Sequence, residues 1–265
     1  MTDHPVLVET SVGVLGGIVT TPDGPPVGAA VVLQGSFGTR AGTNQLWRRV
    51  AQGLGDLGVV TLRVDYPSMG ESHLAQPDAG YTGLHEIVRW FRGRTGDLDE
   101  IVISLCAGML PAVEVAREHE RIASVAVIVP PLLPTDAGTP RRRASLARRV
   151  AYRVRRAPGR MRLRVRYGSS RQRPMFDAAS FARAPEMVAE LAHRGPLWLL
   201  TGEHDACTPV LRQVASELAE IESCQLDVVP DLVLRAYPTP EAQREILDRT
   251  LAWAVRSFQG AKVSS

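Results

Sequence analysis

Lysine is almost absent from this chain of 265 residues: Lys262 is the only one, and arginine carries nearly every other positive charge. Together with the alanine and glycine content, that bias suggests a GC-rich bacterial genome; it bears on no mechanism. Cysteine is scarce as well. Cys106, Cys207 and Cys224 are odd in number and widely spaced, which excludes a disulfide framework and fits a reducing cytoplasm. No apolar run approaches the ~20 residues needed to span a bilayer. The opening MTDHPVLVETSVG holds two acids and no basic stretch, so a secretory signal is not expected. Histidine is missing from everything beyond His204.

What is present suits one domain with a small insertion. Hydrophobic residues make up 45% of the chain, enough for a sizeable core. The net charge of +3 hides an asymmetry. Between Arg141 and Arg173 lie 14 arginines and no acidic residue or lysine, which leaves the rest of the chain at −11. A basic module on an acidic body is an argument about partners.

The chain alternates apolar runs with segments of helical spacing. VLVET and VGVLGGIVTT read as strands, and AAVVLQG from Ala29 as a buried strand ending in a glycine loop. TNQLWRRVAQGLGDLG is helical, with Leu46, Val50 and Leu54 on one face and Gly58 closing it. VVTLRVD is a strand, followed by the loop YPSMGESH and a helix around HEIVRWF. IVISL is a short buried strand, AGMLPAVEVARE a helix that tolerates Pro111 only in its first turn, and SVAVIVPP a further strand. PLWLLTGEHD and CQLDVVPD add two strands, and EAQREILDRTLAWAVRSF a last helix. Apolar strands between helices predict a mostly parallel, doubly wound α/β sheet, with ligands at the carboxyl ends of the strands. Residues 133–194 interrupt this rhythm. They read as an inserted Arg-rich lid on a core of residues 1–132 and 195–265, with a helical stripe in ASLARRVAYRV and a strand-like alternation in MRLRVRY.

The sharpest local feature is Ser104-Leu105-Cys106-Ala107-Gly108, between a strand and a helix. A nucleophile there sits on a strained turn between small residues, and the following amide N–H can stabilise an oxyanion. The helix N-terminus is expected to lower the thiol's pKa.

These residues resemble the α/β-hydrolase fold superfamily over nearly the whole chain outside the lid. The family's G-x-nucleophile-x-G elbow matches Ser104 to Gly108, with Cys106 where serine is usual. Its oxyanion-loop H-G appears as Gln34-Gly35, followed by Ser36 and Phe37. Its D-x-x-G-x-G-x-S turn appears as DYPSMGES from Asp65 to Ser72, with Ser68 in place of the first glycine. Its acid turn G-x-x-D appears as Gly202 to Asp205. SLCAGM and GTNQLWRRVAQGL are also similar to segments of hydrolase-like proteins from bacterial biosynthetic clusters.

The resemblance implies an order of nucleophile, acid and histidine, with the histidine some 25–30 residues beyond Asp205. That stretch reads VVPDLVLRAYPTPEAQ, and it puts Asp231, Leu232 and Val233 near the expected spot, so an apolar side chain is expected where the imidazole would stand. Of the histidines elsewhere, His73 follows the DYPSMGES turn and best fits the cleft; His85 and His204 are weaker substitutes. Asp205 is expected near Cys106, orienting substrate or serving as a base. Asp65 is expected to organise its own turn, and Cys207 to be structural.

The expected activity is acyl chemistry: a thioesterase, acyl hydrolase or acyltransferase of bacterial specialised metabolism, with Cys106 as nucleophile, amides of Ala107 and of Ser36 or Phe37 as oxyanion donors, and no cofactor or metal. The alternatives are a non-hydrolytic cleft that isomerises or epimerises a peptide or polyketide intermediate, and a binding role. The substrate is expected to be small, carrier-bound acyl or peptide. The Arg141–Arg173 run either is a solvated surface or docks an acidic carrier protein through arginine forks. With only Tyr152 and Tyr167 in it for stacking, no nucleic-acid partner is expected.

Overall fold

The computed structural model describes residues 1–35, 39–67, 69–72, 82–118, 122–132, 182–218, 221, 223–235, 237 and 239–261. Eight strands form one sheet: β1 (Thr2–Thr10), β2 (Gly13–Thr21), β3 (Gly28–Leu33), β4 (Val59–Val64), β5 (Glu100–Leu105), β6 (Ile122–Ile128), β7 (Leu197–Gly202) and β8 (Cys224–Val229). Their order is β1-β2-β4-β3-β5-β6-β7-β8. β1 with β2 and β2 with β4 are antiparallel, and every other pair is parallel. Every residue of β3, β4, β5 and β7 is buried, as expected for strands covered on both faces.

Among the described residues six helices supply the cover: α1 (Leu46–Asp56), α2 (Thr82–Thr95), α3 (Met109–Arg117), α4 (Ala184–Arg194), α5 (Thr208–Glu217) and α6 (Pro240–Ala261). The connection through α1 runs from β3 outward to β4, while those through α2, α3, α4 and α5 run the opposite way along the sheet. Right-handed crossovers therefore put α1 on one face and the other four on the second. α6 packs beside α1, and α3 lies between α2 and α4. α1 ends where Gly58 adopts φ +81, the left-handed position that glycine fills without strain. The chain leaves β3 towards β4 and returns to β5 on its other side. That reversal opens a crevice at the carboxyl ends of β3 and β5, where such sheets bind ligands.

The mostly parallel, doubly wound sheet matches the expectation from sequence. α5 was not foreseen, although Pro209 in its first turn and the spacing of Leu211, Val214 and Leu218 mark it. Of residues 133–194, expected as an insertion, 182–194 are described; they hold α4, whose Ala184, Val188 and Leu191 are buried and which packs on α3. The Arg141–Arg173 run, the ASLARRVAYRV stripe and MRLRVRY lie outside the described residues. No described helix is long and apolar enough to cross a membrane.

Arg63 on β4 is 1% exposed and donates from Nη2 to Asp3 Oδ1 at 3.0 Å and to Thr20 Oγ1 at 3.3 Å. Burial pushes the Asp3 carboxyl up, but the Thr20 hydroxyl and the charges of Arg63 and Arg48 outweigh it, and the carboxyl lies below its ordinary range. Stabilisation from this pairing is therefore present above the unfolded carboxyl pKa and lost as pH falls through the folded one. Asp3→Ala should cost about 2 kcal/mol at neutral pH, because it strands the Arg63 charge. Urea unfolding should show that difference shrinking below about pH 4.

Candidate active site

The β5–α3 corner is built around Cys106. Leu105 ends the strand in an extended conformation, Cys106 itself has φ +49, and Cys106–Gly108 form a single 3-10 turn leading into α3. A positive φ is uncommon for a residue with a Cβ and persists only where its surroundings enforce it. The surroundings here are tight. Ser104 is fully buried and its hydroxyl donates to the Ala126 carbonyl at 3.0 Å, tying the last turn of β5 to β6. Gly108 packs so closely against the carbonyl oxygens of Leu33 and Gln34 at the end of β3 that a methyl group would collide with both. Gly35 lies against the other side of the turn, next to Leu105 and Cys106. These contacts push the Cys106 side chain out of the core, and it is only partly buried.

The thiol does not behave as the helix N-terminus suggested. Burial pushes its pKa above the ordinary thiol range; the Ala107 N–H and the positive charge of Arg235 pull the other way and recover only part. The reason is one of size. A helix terminus is worth about 0.3–1 kcal/mol for an exposed charge, whereas desolvation can move a buried group by several pKa units.

Asp205 sits in the turn after β7, 3% exposed. Its Oδ2 accepts N–H bonds from Gly202 at 2.8 Å and Leu234 at 3.0 Å, and its Oδ1 accepts one from Arg235 at 2.9 Å. The Thr201 hydroxyl stands 3.4 Å from Oδ2. Most of the carboxylate's roughly four lone-pair sites are thus already spent on the protein. Beneath it, Thr208 bonds to Thr201 at 2.9 Å and to the Gly202 carbonyl at 2.6 Å. The carboxylate therefore clasps the segment leaving β8.

That segment corrects one expectation. The residues meeting the acid are Leu234 and Arg235, further along the chain than Asp231, Leu232 and Val233. Arg235 is 30 positions beyond Asp205, and its charge reaches the Cys106 thiol. Arg235, an exposed residue, falls within the span where the resemblance implied an imidazole. Among the described residues Arg235 has no carboxylate partner for its side chain. The signal in the sequence was the spacing, which reached 235 but was read a few residues short.

The remaining candidates divide plainly. Ala107 is buried directly after Cys106, its N–H towards the sulfur. Ser36, Phe37 and His73 lie outside the described residues. His85 pairs with Glu118 at 3.2 Å near the far end of α3, away from the elbow. His204 is exposed and gathers with Glu203 and Asp231, their ligand atoms within 4.8 Å of one another. All three are exposed, and nothing further marks a metal centre. Cys207 is 5% exposed, 3.5 Å from the Thr201 hydroxyl and near enough to Cys106 and Asp205 to feel both. Asp65 accepts the backbone N–H of Arg40 at 2.8 Å and of Glu71 at 3.2 Å and pairs with the Arg40 guanidinium; it organises its own turn as expected. Two hollows, of about 280 and 640 Å³, lie at the amino ends of β6, β7 and β8 and are lined by Arg117 and Arg194 and by Trp198 and Trp253. They sit at the opposite end of the sheet from Cys106.

No protein-family model matches the chain, and no curated protein sequence matches it. Solved structures do. A dienelactone hydrolase from Anabaena variabilis aligns over 96% of this chain and 97% of its own, with TM-score 0.62 and 17% identity. An esterase from Pyrococcus furiosus aligns over 97% and 91%, with TM-score 0.66 and 17% identity. A thermostable carboxyl esterase from Bacillus coagulans aligns over 97% and 99%, with TM-score 0.66 and 10% identity. The chain has the α/β-hydrolase fold.

Two measurements probe this geometry. Asp205→Ala leaves buried N–H groups of Gly202 and Leu234 without an acceptor and should lower stability by about 3 kcal/mol or more, read as a lower urea midpoint at constant slope. Because the Cys106 thiol titrates high, its alkylation by iodoacetamide should still be climbing at pH 9 rather than levelling near neutrality. A plateau at pH 7, followed by mass spectrometry of the Cys106 peptide, is the contrary result.

Proposed function

We propose that this protein is an acyl-handling enzyme in which Cys106 takes an acyl group from a thioester. The observation that carries the reading is the cysteine on a left-handed turn between β5 and α3, its sulfur partly exposed and the Ala107 N–H beside it. The sulfur attacks the thioester carbonyl, a new carbon–sulfur bond forms, and the departing thiol leaves with the proton that Cys106 gives up. The Ala107 N–H, with an amide of Ser36 or Phe37, stabilises the oxyanion. Thioesters suit this site because thiol-for-thiol exchange asks less of a base than the expulsion of an alkoxide. Thioesterase, acyl hydrolase and acyltransferase activities all pass through this acyl–cysteine intermediate. A carrier-bound substrate in bacterial specialised metabolism fits it, with the Arg141–Arg173 run docking an acidic carrier.

A second reading is favoured by one specific observation. Asp205 spends its carboxylate on Gly202, Leu234 and Arg235, so no described base is poised to activate water. A non-hydrolytic role follows from that, in which the cleft isomerises or binds a peptide or polyketide intermediate. Deuterium uptake from solvent into the substrate without cleavage is its signature.

The two readings separate on a simple substrate. With the butyryl thioester of N-acetylcysteamine, the acyl reading expects the Cys106 peptide to gain one butyryl group faster than water removes it. Cys106→Ala should abolish both the adduct and the release of free thiol. Thioester consumption unchanged in Cys106→Ala would mean that the sulfur is not the nucleophile.

A further inference from the structure

We infer that Arg235 makes the Cys106 cleft a site for acyl groups bearing a carboxylate, an inference that names the substrate class of the acyl reading above and rests on it. Three observations converge. First, Arg235 is held by its backbone: its N–H and that of Leu234 both end on the buried Asp205 carboxylate, at 2.9 and 3.0 Å. The side chain is therefore free of the clasp that positions it. Second, the guanidinium is exposed, and no carboxylate among the described residues pairs with it. An arginine anchored by its main chain with an idle head is arranged to meet an anion from outside. Third, the acid loop follows β7 and the Cys106 turn follows β5, at the same end of the sheet with only β6 between them, and the Arg235 charge acts on the Cys106 thiol.

A charge in that position has a consequence for selection. A neutral acyl chain leaves the guanidinium solvated and unused. An acyl chain ending in a carboxylate a few atoms from its carbonyl can give that carboxylate to Arg235 while the carbonyl sits over Cys106 and its oxygen at the Ala107 N–H. An imidazole there would move protons; a guanidinium stays charged at any working pH and binds. The same position thus serves recognition instead of proton transfer.

The test needs no turnover to begin. Iodoacetate and iodoacetamide consume the same thiolate, so the ratio of their rates at Cys106 cancels the thiol's ionisation and reports the charge beside it. The ratio, measured on the Cys106 peptide by mass spectrometry, should be about fivefold higher in the wild type than in Arg235→Gln, as one nearby unit charge implies in water. Arg235→Lys should keep most of it, and high salt should erase it. In a second arm, succinyl and butyryl thioesters of N-acetylcysteamine are compared for acylation of Cys106. The wild type should favour succinyl over butyryl, and Arg235→Gln should lose that preference. If neither thioester acylates Cys106 but the alkylation ratio depends on Arg235, the acyl reading fails and the anion site stands. If acylation occurs and both the ratio and the succinyl preference are indifferent to Arg235→Gln, the anion site is overturned and the acyl reading stands. Unchanged urea midpoints for the Arg235 variants verify that the backbone clasp survives.

Discussion

A single buried carboxylate holds the carboxyl end of β7 to the chain that leaves β8. Asp205 collects the N–H groups of Gly202, Leu234 and Arg235, and so joins the end of β7 to the segment that leaves β8. Without it those donors would be buried with no acceptor, and the loop carrying Arg235 would have no reason to turn back over the sheet. The acid belongs to the architecture first.

The elbow shows two physical demands in opposition. Holding Cys106 at positive φ needs close packing, which Ser104, Gly108 and Gly35 provide. The same packing removes water from the sulfur and disfavours the thiolate. A proton acceptor ordinarily reconciles the two by taking the thiol proton during attack. Among the described residues, the side chains that reach the thiol are Arg235 and another buried thiol, Cys207, itself pushed up by burial. Under the acyl reading proposed above, ionisation of the sulfur depends on a leaving group able to take the proton, and exchange between thiols is favoured over the splitting of water.

Much of this was legible in the residues alone, for reasons that can be named. Apolar runs such as Val59–Val64 and Glu100–Leu105 are buried on both faces, so their pattern is continuous and points to a parallel sheet. The elbow is legible because small residues on either side of Cys106 are a local steric requirement. Less visible was anything set by contact across the chain. The lowered thiol pKa expected at the helix N-terminus gave way to burial, which depends on how β3 and β5 close around the turn. Arg235 was missed because an arginine at that spacing has no motif; its place is set by a backbone bond to Asp205, 30 positions away. α5 was missed because its apolar spacing is short, resting on Leu211, Val214 and Leu218.

Far from the cleft, Trp198 on β7 and Trp253 on α6 stack with centroids 5.6 Å apart and planes 14° from parallel, and the Trp198 indole N–H is fixed on Asp227 at 2.9 Å. Rings locked this closely in a chiral setting couple their electronic transitions. The near-ultraviolet circular dichroism of this chain therefore carries a built-in gauge of whether the C-terminal helix is seated on the sheet, separate from the far-ultraviolet signal that would persist in a loosened, helix-retaining state.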